Sequence, residues 1–447
     1  MTRVDGGYRR RREHETRHVI DDLRAELSSW SSSASEGHSL EKHESQVRSV
    51  VLVLTTVLDR IELMPSDERV LRAADIVLDL HHLWDFFRSK LLIRQVPRYG
   101  RLLEVTDELA WSLYEPVMLA AASDSRLREP PLTFPSRRPV PFATARGSDF
   151  EDLLSHGRQR TMDGRKASKC LPVPLISLPW SSGRHLPSLL AVAHETAHHI
   201  EDDFGLTPSL LARLRSVTGM ETDRLLLWER WLGEAFADIC ATIACGPAYI
   251  WALADALRTA EERHTAESAD YPPDRLRLLI CHAALPSLQE PYSLPPLPGH
   301  QEPADMEPDA VVEALLSDGM RELGGKGLRE LIGLRRPADI PDEVARLRNA
   351  LRTRRRDVPG ILAAATLAFV ADPSAYEAAG IGERCMNEVI GLRQKGKRHT
   401  VSDGHRGSRD SQAGDELFEL LRDRAEASGP RVPPARTAPG SGRYHSA

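Results

Sequence analysis

Residues 191–200 read Ala-Val-Ala-His-Glu-Thr-Ala-His-His-Ile, so His194 and His198 stand four apart with Glu195 beside the first. On an α-helix, side chains four apart share one face. Two imidazoles so placed can converge on one ion, and nitrogen donors in tetrahedral coordination suit zinc. Zinc acidifies a bound water, and a neighbouring carboxylate accepts its proton as the water attacks a carbonyl. Glu195 is the candidate for that task.

Such a centre needs a third protein ligand and one open position. Glu234 and Asp238, in Gly233-Glu-Ala-Phe-Ala-Asp, are again four apart. Glu234 is the candidate third ligand. Asp238 is the candidate acceptor for the free ring nitrogen of a ligating histidine, which would fix its tautomer. Trp228, Leu232, Phe236 and Ile239 make this stretch apolar, and two carboxylates there are costly to bury unless paired or metal-bound. Gly233 leaves room for another backbone. The competing reading is a surface helix with incidental histidines and solvated acids, and the apolar neighbours weigh against it.

HExxH followed on a second helix by ExxxD resembles the gluzincin metallopeptidases, over about residues 170–285. The resemblance implies zinc held by His194, His198 and Glu234, Glu195 as general base, and Asp238 behind a ligand. The metzincin pattern is excluded, because Glu201 and Phe204 stand where its glycine and third histidine belong. A deformylase would need a cysteine motif upstream that the chain lacks. Tyr271-Pro-Pro-Asp-Arg-Leu-Arg277 is similar to the HPPxxxR stretch after the metal site of CAAX-prenyl and heat-shock membrane proteases, with Tyr271 in the histidine's place. That similarity makes Tyr271 and Arg277 candidate stabilisers of a developing oxyanion, beside the plainer reading of a helix start with a solvated arginine. His199 points about a quarter-turn from the ligand face. Glu201 to Asp203 read as solvated helix-end acids, and His264 and His282 are reserve candidates for ligand or transition-state donor.

The elements that must position these residues are mainly helical. Val47, Val50, Val51, Leu54, Val57, Leu58 and Ile61 form one apolar stripe. Pro65 ends that helix. Ser66 is the expected N-cap of the next, which runs to about Leu92 with Asp67 and Glu68 in its first turn. A third covers about Leu102 to Ala121. Val173 to Leu178 has strand character, and its prolines make it an edge strand. A helix from about Pro187 to Asp203, stopped by Gly205, carries HExxH, and one from about Asp223 to Cys245 carries ExxxD.

The expected architecture is therefore mainly α: a zincin-like catalytic domain with a small sheet, flanked by helical domains. Its divisions are a flexible arm at 1–38, a helical domain at 39–127, the metallopeptidase-like domain at 128–286, a Pro-rich linker at 287–307, a helical region at 308–393 and a mostly disordered tail at 394–447. A short amphipathic helix at Glu416 to Leu421 interrupts the tail.

The 447 residues carry a formal charge of −6, are 41% hydrophobic and include five cysteines. This balance gives no overall reason to expect nucleic acid or an anionic membrane as partner. The basic runs Arg9 to Arg12 and Arg352, Arg354, Arg355 and Arg356 read as solvated. The cysteines form no CxxC pair, and reduced thiols in a cytoplasm are the simpler reading. No secretory signal is seen, and the longest uncharged run, Ile239 to Ala254, is too short to span a membrane. The expected function is zinc-dependent hydrolysis of a peptide bond in a protein or peptide substrate, with a possible regulatory partner through the helical flanks. The alternative is a non-catalytic metallopeptidase-like binding or regulatory protein.

Overall fold

The computed structural model describes residues 6–121, 128–137, 141–144, 173–217, 219–261, 271–285, 294–298, 307–317, 319–398 and 403–427. The described part is mainly α, with one small sheet. His264 lies outside the described residues.

Helices α1 (Gly6–Ser33), α2 (Glu44–Leu63) and α3 (Ser66–Leu92) pack together, and α4 (Pro97–Ala120) follows. The stripe from Val47 to Ile61 is the buried face of α2, apart from half-buried Val51. Its partners include Leu23 and Leu27 of α1 and Trp84 and Phe87 of α3. The expected arm is thus mostly helix α1, with Ile20, Leu23 and Leu27 buried. Ser66 is not the cap of α3: Pro65 holds that position, and the Ser66 hydroxyl donates to Glu13 on α1.

Three strands, β1 (Leu132–Ser136), β2 (Phe142–Thr144) and β3 (Leu175–Pro179), make a sheet of order β1-β3-β2. β3 runs parallel to β1 and antiparallel to β2. The segment expected at an edge is therefore the central strand. Its prolines permit this because they sit at its ends, Pro174 just before it and Pro179 closing it. Successive β3 residues face opposite sides of the sheet. Leu175 joins the core of the N-terminal bundle, while Ile176 and Leu178 join a second core. The sheet stands between the two.

The second core gathers α4 with the helices that carry the chemistry. They are α5 (Ala191–Phe204), α6 (Thr207–Arg215), α7 (Thr222–Cys245), α8 (Pro247–Glu261) and α9 (Asp274–Ala284). α10 (Pro308–Leu316), α11 (Leu328–Ile332), α12 (Ile340–Arg348), α13 (Val358–Ala371), α14 (Pro373–Ala378) and α15 (Ile381–Leu392) complete it. The helical stretch expected at 39–127 is thus divided: α2 and α3 belong to the bundle, α4 to the core around the site. Of the expected linker, 294–298 is described and has no regular structure.

The last described element, α16 (Asp403–Ala427), replaces much of the expected disordered tail. It returns to the N-terminal bundle and lies along α2, burying Leu417, Phe418 and Leu421. Gly414 makes the contact possible, since a methyl there would sit 2.8 Å from the Val53 carbonyl oxygen. Arg409 bridges Asp410 and Glu129, two fully buried acids. The low hydrophobicity of α16 hid this docking from the sequence, because part of the contact is polar: Ser49 donates to Asp410, and Arg60 pairs with Asp415.

A polar cluster closes the seam between the two cores. The Arg94 guanidinium donates to the Asp107 carboxylate, to the Thr133 carbonyl of β1 and, from Nε, to His43 Nε2. His43 Nδ1 is 2.6 Å from the Gln46 amide oxygen. A neutral ring protonated on Nδ1 satisfies both contacts. Burial, with Arg94 alongside, keeps the His43 pKa below the ordinary imidazole value. No helix among the described residues is long and apolar enough to cross a membrane.

Candidate metal centre

α5 and α7 pack face to face, and this pairing builds the site. A 3-10 turn, Leu186–Leu190, precedes α5, so the α-helix begins at Ala191 rather than near Pro187. Gly205 ends it in the left-handed conformation, φ 63°, where glycine has no Cβ to clash. Val192, Ala193, Ala197 and Ile200 are buried, and this anchors the helix on the core. His199, pointing away from the ligand face as expected, binds the Leu175 carbonyl of β3 through Nε2 at 3.0 Å. It ties α5 to the sheet.

Three expected ligands meet. The Nε2 atoms of His194 and His198 are 3.2 Å apart. Glu234 reaches across from α7, with Oε2 3.4 Å from His194 Nε2 and Oε1 3.5 Å from His198 Nε2. A bond of ~2.1 Å at tetrahedral angles puts neighbouring donors roughly 3.4 Å apart. The contacts, which end on different oxygens of Glu234, are close to that spacing, and one ligand atom from each residue lies within 4.8 Å of the other two, so these three residues fit a metal ion. Among the described residues this is the one group of three such side chains close enough to hold one.

Behind the ligands lies a fully buried carboxylate. Asp238 Oδ1 is 2.9 Å from His194 Nδ1, and Asp238 itself has no exposed surface. Burial opposes its charge, but Arg277 and His194 outweigh burial and hold its pKa well below the usual carboxylate range. An ionised carboxylate only accepts, so a proton sits on His194 Nδ1. Burial opposes the ring's charge, but Asp238 and Glu234 outweigh it and raise the pKa to about 10, and an ion would be held at Nε2 in exchange for the proton there. The expected orienting role of Asp238 thus rests on an explicit contact.

Two further donors bind Asp238. The Arg277 guanidinium, from α9, gives Nε–H to Oδ2 and Nη2–H to Oδ1, each at 2.8 Å. Nη2 is also 3.6 Å from Glu234 Oε2. Arg277 therefore serves the carboxylates from behind, and its bound arms are turned to them rather than to a developing oxyanion. Tyr271 precedes α9 and is 53% exposed. The second donor, Tyr249 on α8, escaped the sequence reading. Its hydroxyl donates to Asp238 Oδ1 at 2.7 Å and lies 3.1 Å from His194 Nδ1. No spacing rule links Tyr249 to either motif, since it belongs to a different helix.

Comparison with protein-family models, with curated proteins and with solved structures finds no match to this chain.

Glu195 is buried on the same turn as His194. Burial is the main force on its carboxyl and, with Glu234 adding repulsion, pushes the pKa up to about 7 against the pull of His194 and Arg277. The Ala143 backbone N–H of β2 donates to it, so the sheet edge reaches the site. Gly233 does not admit another backbone as expected; it faces Glu201, whose Oε2 would be 3.4 Å from an added methyl. Glu201 is buried and accepts from the Thr207 hydroxyl at 2.8 Å rather than facing solvent. Asp203 accepts from the Tyr114 hydroxyl at 2.6 Å. His282 is half-buried on α9, and its role as a reserve ligand finds no place in the three-residue group.

Proposed function

We propose that this chain is a zinc-dependent peptidase in which His194, His198 and Glu234 hold the metal and Glu195 is the general base. The observation that carries the reading is the convergence of three donor side chains from two helices beside a buried carboxylate: the imidazole Nε2 atoms are 3.2 Å apart, and the two Glu234 oxygens lie 3.4 and 3.5 Å from one of them each. Two nitrogens and a carboxylate favour zinc over magnesium or calcium, which prefer oxygen. Zinc, when bound, supplies Lewis acidity toward the substrate carbonyl and the attacking water. Glu195 takes the water's proton and returns it to the leaving amine. Asp238 keeps the His194 ring in the tautomer and orientation that ligation needs. Arg277 and Tyr249 keep Asp238 ionised and in place. The substrate class is protein or peptide. The four described cysteines, Cys240, Cys245, Cys281 and Cys385, are buried free thiols, which supports a reducing, cytoplasmic compartment.

The test pairs metal analysis with turnover. The purified chain is expected to hold one zinc per molecule and to cleave members of a broad peptide library. Glu195→Gln is expected to keep the zinc and lose the cleavage. Full activity in that variant would overturn the mechanism. Stoichiometric zinc with no turnover on any peptide would instead favour a metal-binding module without catalysis.

A further inference from the structure

A dense cationic surface lies outside the candidate metal centre. Residues 335–357 contain eight arginines against four acids, in a chain whose formal charge is −6. Six of those arginines are exposed: Arg335, Arg336, Arg348, Arg352, Arg354 and Arg356. Two of the four acids are already engaged. Glu343 is buried and accepts the Arg354 backbone N–H, and Asp357 pairs with Arg355.

The fold holds these charges in order. Burial alternates along 352–356, with even-numbered residues exposed and Thr353 and Arg355 turned inward. Thr353 binds Glu388 through its N–H and hydroxyl. Arg355 is buried and donates to the carbonyls of Arg335 and Arg336. In extended chain, alternate residues stand roughly 6.6 Å apart on one side. Arg352, Arg354 and Arg356 thus form a row, with Arg335 and Arg336 fastened beside it by Arg355. Two non-glycine residues adopt left-handed backbone at this surface, Arg336 with φ 43° and Ala350 with φ 58°. Such conformations are costly and persist where surrounding structure imposes them.

An apolar side chain stands within the charges. Ala350 and Leu351 end α12, with the Leu351 N–H bonded to the Arg346 carbonyl. In this kind of helix ending the apolar residue usually folds back on the last turn. Leu351 is instead 50% exposed, the one large exposed hydrophobic of the described chain in this region. Among the described residues no exposed aromatic accompanies it, although stacking platforms are what single-stranded nucleic acid uses.

We propose that this surface docks the protein on an anionic membrane, with the six arginines against lipid phosphates and Leu351 inserted among the headgroups. Guanidinium groups bind phosphate in two-pronged fashion. A basic cluster combined with an apolar side chain gives reversible binding at a membrane surface without a span. The surface adjoins the C-terminal end of α7, where the Leu334 N–H bonds the Ile243 carbonyl. That end lies roughly 16 Å along the helix from Glu234.

The test is co-sedimentation of the full chain with vesicles of phosphatidylcholine alone, or of phosphatidylcholine containing phosphatidylserine. Binding is expected only to the anionic vesicles and is expected to weaken with salt. Each arginine contributes about a fivefold gain at the surface, so R352Q/R354Q/R356Q is expected to weaken partitioning roughly 100-fold. Leu351→Asp should weaken it as well. All four side chains are exposed, and unchanged circular dichroism and metal content would show that the variants fold. Equal binding to neutral vesicles, or full binding by the triple variant, would overturn the proposal. So would displacement from anionic vesicles by a single-stranded oligonucleotide at far lower phosphate concentration, which would assign the surface to nucleic acid.

Discussion

The Arg277 guanidinium lies along the Asp238 carboxylate, with Nε to Oδ2 and Nη2 to Oδ1 both at 2.8 Å. This pair joins α9 to α7 behind the candidate metal ligands. It keeps a fully buried carboxylate ionised, and that carboxylate in turn sets the proton on His194.

Removing one partner should expose the cost of burying the other. Asp238→Asn is expected to lower metal affinity about 10–100-fold, the usual loss when an orienting partner of a ligand is removed. It should also destabilise the fold by about 3–5 kcal/mol, because the buried Arg277 charge loses its two-pronged partner and keeps only Glu234, at 3.6 Å. Competitive metal titration and urea unfolding measure the two effects. Unchanged metal affinity would show that His194 needs no partner.

Tyr249→Phe is a milder change. It deletes the donor to Asp238 Oδ1 while Arg277 and His194 remain. A hydrogen bond to a charged group contributes about 1.5–3 kcal/mol. The variant should lose stability in that range and less metal affinity than Asp238→Asn. A larger metal defect would place Tyr249 closer to the chemistry than its contacts indicate.

Zinc should stabilise the protein by mass action. At 100 times its dissociation constant a ligand that binds only the native state adds about 2.7 kcal/mol. Thermal melts are therefore expected to rise with added zinc and fall with a chelator. Glu234→Ala should abolish the zinc-dependent rise. A rise of equal size in that variant would mean the ion sits elsewhere.

The seam predicts sensitivity to acid. Buried His43 has a pKa below its ordinary value of 6.5, so below that pH the unfolded chain binds the proton more readily than the folded one. Stability should therefore decline as pH falls from about 6.5 toward the lower folded value, and be fully present above that window. His43→Gln is expected to flatten the change in urea midpoint between pH 7 and 5. The same slope in both proteins would remove His43 as its source.

α16 should be part of the stable fold. Leu417 is fully buried against the N-terminal bundle, and Leu417→Ala should cost about 2–5 kcal/mol. Truncation before Asp403 should cost more, because it also strips Arg409 from buried Glu129. Denaturant unfolding of the two forms is the measurement. Unchanged stability on truncation would mean that α16 does not stay docked.

The sequence alone determined what is local and periodic. Four-residue spacing placed His194 with His198 and Glu234 with Asp238 on helix faces, and the apolar stripe from Val47 to Ile61 marked the inner face of α2. Spacing within one helix is set by backbone geometry, so it can be read without knowing what lies opposite. Tertiary structure alone decided which side chains meet across elements. It set Arg277 and Tyr249 on Asp238, brought the Ala143 N–H to Glu195, made β3 the central strand and returned α16 to α2. Those contacts join residues as far apart as Ser49 and Asp410. They depend on how whole helices pack, and burial then turns each charge toward a partner that no local spacing names.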